Sequence, residues 1–211
     1  MTDPGTISVV GHGRAEGVPD VCRVALVATA LRASVAAALA DSEQAARRVR
    51  DVLAANGVAG QDAATTTVTL RAEEDYSGQR GPRLLGYRAE HGLGVVLRDV
   101  RVAGRVLGEA VVAGGEAVRL QDVSFAVEDD AALRARARAA AWEDALRTAQ
   151  QLAELAGVTL GAVRGIEEPG GRGGLPSPKG MRAMAAAAPE VGLQPGGVGV
   201  DSVLSVVWEL S

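Results

Sequence analysis

Residues 21–56 read VCRVALVATALRASVAAALADSEQAARRVRDVLAAN, and the spacing of their apolar side chains changes partway along. Val21 to Leu31 is rich in β-branched and apolar residues with Cys22, Val24 and Leu26 on one side, which predicts a strand. From Ser34 to Asn56 the period becomes helical: Val35, Leu39, Ala46, Val49 and Leu53 share one stripe, and Glu43, Arg47, Arg50 and Asp51 lie away from it. Asn56-Gly57 then supplies a left-handed stop.

Working outward, Thr6 to Val10 predicts a short strand, Gly11-His12-Gly13 a turn, and Gly17-Val18-Pro19-Asp20 a second turn, so that this strand and the next form a hairpin. Downstream, Thr65 to Leu70 and Tyr87 to Arg98 alternate as strands, joined by a polar tip at residues 73–82. Asp99 can cap a helix carrying Val102, Val106, Leu107, Ala110 and Val111, which Gly114-Gly115 ends. After a strand at Val118 to Val127, Asp129 or Asp130 opens the longest helix, running to about Ala156 with Gly157 as its stop. Its predicted apolar stripe is Ala135, Trp142, Ala145, Leu146, Ala149, Leu152, Ala153 and Ala156. Two strands, Val163 to Glu167 and Val200 to Leu210, close the chain. Between them residues 169–197 hold Pro, Gly, Met and Ala in a pattern that predicts a flexible loop.

The resulting order is β-β-α-β-β-α-β-α-β-β, an α+β class with a ferredoxin-like split β-α-β core and a long helix packed on a mixed, mainly antiparallel sheet. Residues 1–211 read as a single domain.

An apolar fraction of 47% is enough to bury a core, but only two Trp, two Tyr and one Phe occur, which argues against a deep aromatic-lined ligand pocket. The net charge of −4 argues against binding a phosphate backbone, so no nucleic-acid partner is expected. The lone Cys22 excludes an intramolecular disulfide and sits on the apolar side of its strand, which predicts core packing. No stretch approaches the roughly 18 apolar residues of a spanning helix. The N-terminal residues show no charged segment followed by an apolar one, so a cytoplasmic location is expected, or export if a signal peptide has been removed.

Catalytic patterns fail one by one. Gly11-His12-Gly13 with Gly17 lacks the helix that a dinucleotide turn requires, since Pro19 and a strand follow. His12 and His91 have no partner at metal-ligand spacing; His91 is expected as a hydrogen-bonded interior residue and His12 as a solvated turn residue. No G-x-S-x-G occurs, and Glu73-Glu74-Asp75 and Glu167-Glu168 read as solvated loop carboxylates. No catalytic, cofactor or metal residue is assigned. Arg134, Arg136 and Arg138 sit at the end of the long helix that disfavours positive charge, which suggests a partner carboxylate or anion, or a solvated or intersubunit salt bridge.

Several stretches together carry a family resemblance. Ile7-Ser8-Val9-Val10-Gly11-His12-Gly13, Val18-Pro19-Asp20 leading into a strand, Gly86-Tyr87-Arg88-Ala89, Leu97-Arg98-Asp99, Val123-Ser124-Phe125, and the segment from Ala135 to Leu155-Ala156-Gly157-Val158-Thr159-Leu160-Gly161 occur in order along nearly the whole chain. With the Met/Ala loop before the last strand, they resemble the SIMPL-domain family, which includes bacterial periplasmic immunogenic proteins. The resemblance implies an α+β fold able to form large homo-oligomers, a link to stress responses, and no agreed catalytic residues. The expected function is therefore non-enzymatic self-assembly, with Met181, Met184, Arg134, Arg138 and Trp142 as candidate contacts. The alternative is an adaptor or ligand-binding module using the 169–197 loop or the 73–82 tip for an unknown protein partner.

Overall fold

The structure is a computed structural model and describes residues 5–76, 81–169 and 192–211. In chain order the elements are β1 (Gly5–Gly17), β2 (Val21–Arg32), α1 (Val35–Ala55), β3 (Ala63–Asp75), β4 (Arg83–Leu97) and α2 (Ala103–Gly114). They continue with β5 (Val118–Ala126), α3 (Ala131–Ala156), β6 (Leu160–Glu167) and β7 (Val198–Leu210). The chain divides into two compact units: Met1–Val18 with Val127–Lys179 and Gly196–Ser211, and Pro19–Ala126 with Gly180–Pro195.

In the second of these units the sheet runs β3-β4-β2-β5, with every pair antiparallel. Helix α1 connects β2 to β3 while β4 lies between those strands, so the β-α-β element is split by the strand that pairs with both. Alternation along β2 sends Cys22, Val24, Leu26 and Ala28 into one core with Leu93, Val95 and Leu97 of β4. Ala45, Ala46, Val49 and Leu53 of α1 and Val106, Leu107 and Ala110 of α2 cover that face. The Ser34 side chain accepts a hydrogen bond from the Ala37 N–H at the start of α1, and Gly57 takes the left-handed conformation after its end (φ 81°). Helix α2 begins later than Asp99 implies: that carboxylate receives the Arg101 N–H and guanidinium within its own turn instead of capping the helix.

In the other unit the sheet runs β1-β7-β6, again all antiparallel, and α3 packs on it. The long helix thus has a sheet of its own, and among the described residues every strand pairing is antiparallel, where a mixed, mainly antiparallel sheet was expected. The expected β1–β2 hairpin is also absent, since β1 pairs with β7 along its full length, Gly11 opposite Leu204 and Gly13 opposite Ser202.

The reason lies in side-chain size. The buried positions of α3 are Leu133, Ala137, Ala141, Ala145, Ala149 and Ala153, one every fourth residue, so the helix presents a narrow ridge of methyl groups. Gly11 and Gly13 face that ridge, and a Cβ on Gly11 would stand 2.1 Å from the Ala141 carbonyl oxygen. The glycines predicted as a turn are strand residues that let a helix backbone come close. Ala135, Leu152 and Ala156, placed on the apolar stripe by the sequence, are exposed.

Candidate functional site

A convergent polar cluster in the β2–β5 unit surrounds His91 on β4. Its ring Nδ1 lies 2.9 Å from the Ser42 hydroxyl of α1, and its Nε2 lies 3.2 Å from a Glu43 carboxylate oxygen. Glu43 in turn accepts a 2.6 Å hydrogen bond from Arg50. Helical geometry brings these groups together, because Ser42 lies on the same α1 stripe as Leu39, Ala46 and Val49 and points at the sheet, while Glu43 sits at the margin of that stripe.

Serine, histidine and glutamate in contact resemble the parts of a hydrolytic triad, yet the burial argues otherwise. Ser42 is fully buried and its hydroxyl also reaches the Leu39 carbonyl at 3.0 Å. A nucleophile needs an approach for substrate, which this oxygen does not have. Two proton arrangements satisfy the cluster. A neutral His91 donates from Nε2 to Glu43 and accepts at Nδ1 from Ser42; an imidazolium donates at both nitrogens and frees the Ser42 proton for Leu39. The cluster ties α1 to the centre of the sheet in either form.

On the sheet face away from the helices, a shallow depression of about 430 Å³ is lined by Arg71, Glu73, Arg88, Glu90, Arg119 and Thr29, with Val27 and Gln121. Its charges are largely paired. Arg88 donates to Glu73 at 2.9 Å and Arg71 to Glu90 at 3.2 Å, and the Arg88 hydrogen bond holds the Glu73 carboxyl below the usual range. Arg119 instead donates to the backbone carbonyls of Glu116 and Val118.

The residues named from sequence as contacts are engaged within their own unit. Arg134 donates twice to Asp130 at 2.7 Å, one turn before it, which holds the Asp130 carboxyl down. Arg138 donates to Glu168 at 3.0 and 3.1 Å, and Ser202 donates to the same carboxylate. Trp142 packs with Trp208, ring centroids 5.9 Å apart. Met181 and Met184, with most of the 169–197 loop, lie outside the described residues.

His12 is exposed as expected, but in mid-strand, where its N–H donates to Asp144 at 3.0 Å. His91 is interior and hydrogen-bonded as expected. The sequence reading missed its partners, although a serine on an otherwise apolar helix stripe signals a buried polar contact. Cys22 lies in the core, fully buried. Among the described residues, no helix is long and apolar enough to cross a membrane.

Comparison with known proteins places this chain in a family. SIMPL, described as a protein of unknown function (DUF541), matches residues 7–208. The 26 kDa periplasmic immunogenic protein of Brucella melitensis is 28% identical over 218 residues, spanning 99% of this chain and 86% of that protein. The uncharacterized protein YggE of Escherichia coli K12 is 29% identical over 154 residues, 72% of this chain and 61% of that protein. The expected cytoplasmic location is corrected by this comparison, because the Brucella melitensis and Brucella abortus relatives, each matched over 99% of this chain, are named periplasmic. With residues 7–208 covered, the chain belongs to the SIMPL family, whose function is unknown.

Proposed function

We propose that this chain is a non-catalytic, self-assembling protein that works outside the cytoplasm. One observation carries the reading: strand β3, on the edge of its sheet, is exposed along nearly its whole length and holds Val68 and Leu70 in solvent. Long, apolar, unpaired edges template association with other chains. The periplasmic names of the Brucella relatives support export. The family match runs through both compact units, which supports treating residues 1–211 as one family domain. Arg134, Arg138, Trp142, Met181 and Met184 are further candidate contacts in this reading, as is the stress role that the family resemblance implies.

Light scattering behind size exclusion tests the proposal. A mass several times that of the chain at micromolar concentration is expected, and a strictly monomeric species overturns it. A second reading, an adaptor that uses the tip of the β3–β4 hairpin, is favoured by Tyr76, Leu84 and Leu85, which are all exposed near that tip. A monomer that captures a partner only when these three residues are intact supports that reading instead.

A further inference from the structure

Among the described residues, the four sheet edges differ in how they are guarded. Along β1, the His12 N–H is already donated to Asp144. Strand β6 is short, shifts register twice against β7, and carries Arg164 and Glu167. Strand β5 carries Arg119 and Asp122. By contrast, Ala63 to Leu70 of β3 contains no charge, proline or glycine over eight residues, and among the described residues β3 pairs with β4 alone. Charges and prolines are ordinary protections of an edge, and this stretch has neither; its one irregularity, between Thr65 and Thr67, lies toward the start of the strand.

The pairing of β3 with β4 also defines where a partner fits. Register shifts fall between Thr65 and Thr67 and between Glu73 and Glu74, which leaves Thr67–Glu73 as a regular run of seven residues whose midpoint is Leu70. A twofold axis perpendicular to the sheet keeps the helix-side face of both copies on the same side, so residues of equal parity must oppose one another. With that axis at Leu70, all seven residues pair. Leu70 then meets Leu70 and Val68 meets Ala72 on the helix side; Thr69 meets Arg71 and Thr67 meets Glu73 on the other. An axis at Arg71 would oppose two guanidiniums, and one at Ala72 would set Leu70 against Glu74.

We propose that β3 is the contact between two copies of this chain, an antiparallel β3–β3 pairing across a twofold axis at Leu70 that joins two four-stranded sheets into one of eight strands. The proposal rests on the self-assembly reading above and names its surface. Leu70, 41% exposed in the single chain, then meets its own copy, and Val68, 51% exposed, meets the other copy's Ala72.

The test uses the full chain with Cys22→Ala as background. Leu70→Cys is expected to form a covalent dimer under mild oxidation, because a residue on the axis faces its own copy at about 5 Å between Cβ atoms. Ile166→Cys, at a more exposed site on β6, serves as the control and is expected to stay monomeric on a denaturing gel. Leu70→Lys is expected to weaken assembly roughly tenfold or more while the thermal midpoint of the diluted chain stays unchanged, since the site is exposed. If the unmodified chain assembles while Leu70→Cys fails to cross-link and Leu70→Lys assembles normally, the β3 contact is wrong and self-assembly survives. If the unmodified chain is monomeric, both fall.

Discussion

Gly13 of β1 lies so close to Ala137 of α3 that a Cβ on the glycine would stand 2.1 Å from the alanine's carbonyl oxygen and 2.3 Å from the Ala141 nitrogen. Both obstacles are helix backbone, which cannot swing aside as a side chain would. Gly13→Ala is therefore expected to push the helix off its sheet and cost roughly 3 kcal/mol. Gly60→Ala, where nothing lies within 4 Å, should stay within about 0.5 kcal/mol of the parent. Urea denaturation of the two variants checks the contrast, and equal midpoints would refute close helix–strand packing.

This relationship marks where sequence reading stopped. The elements themselves were legible because their periods differ: β2 alternates, α1 repeats every three to four residues, and Ser34, Gly57 and Gly157 mark helix ends. Pairing partners were less so. A glycine inside a strand and a glycine in a turn are spelled alike, and only the alanine ridge of α3, more than a hundred residues on, decides between them. The α3 ridge was itself misread at Ala135, Leu152 and Ala156, because alanine is compatible with either face of a helix. At the His91 cluster, the burial of the histidine was legible from β4 alternation, whereas Ser42 and Glu43 sit 49 and 48 residues away on another element. Family membership was legible because it draws on ordered stretches along the whole chain and not on any one of them.

Ser42 and His91 give a second prediction. Ser42→Ala removes the partner of a buried ring nitrogen and leaves Nδ1 in an apolar setting, at a cost of about 1–3 kcal/mol. Adding His91→Leu should restore part of that loss, because removing both polar partners is cheaper than stranding one. Denaturant midpoints of the parent, the two single variants and the double variant form the cycle. A double variant that loses the sum of both single losses would show that the pair is not coupled.

Acid should unfold the protein through its arginine-paired carboxylates. Asp62 is held below its ordinary range chiefly by the hydrogen bonds from Arg98, at 2.8 and 2.9 Å, and Asp144 chiefly by the His12 N–H. Carboxyls depressed in the folded state contribute stability that is full above the ordinary carboxylate range and is lost as pH falls through the depressed values. The urea midpoint is expected to hold from pH ~7 to ~5 and to fall below pH ~4. Asp62→Asn should lower the midpoint at neutral pH and make the acid fall shallower. A midpoint that rises on acidification would contradict the paired arrangement.

Cys22 should report on the opening of the β2–β5 core. It is fully buried between β2's neighbours, opposite Leu97 on β4 and Phe125 on β5, and burial followed by the nearby Asp122 charge pushes its thiol up to about 11. Thiolate is the reactive form, so at pH ~8 both steric access and ionisation oppose reaction in the folded state. A disulfide reagent should therefore label the native protein only at the rate of unfolding, and labelling should become immediate once denaturant passes the midpoint. Because the strand pairs on both sides, local fraying cannot expose the sulfur without breaking β2 from β4 or β5. Fast labelling of the native chain would mean that this strand opens independently of the core it anchors, and the ordering of the sheet around β2 would have to be revised.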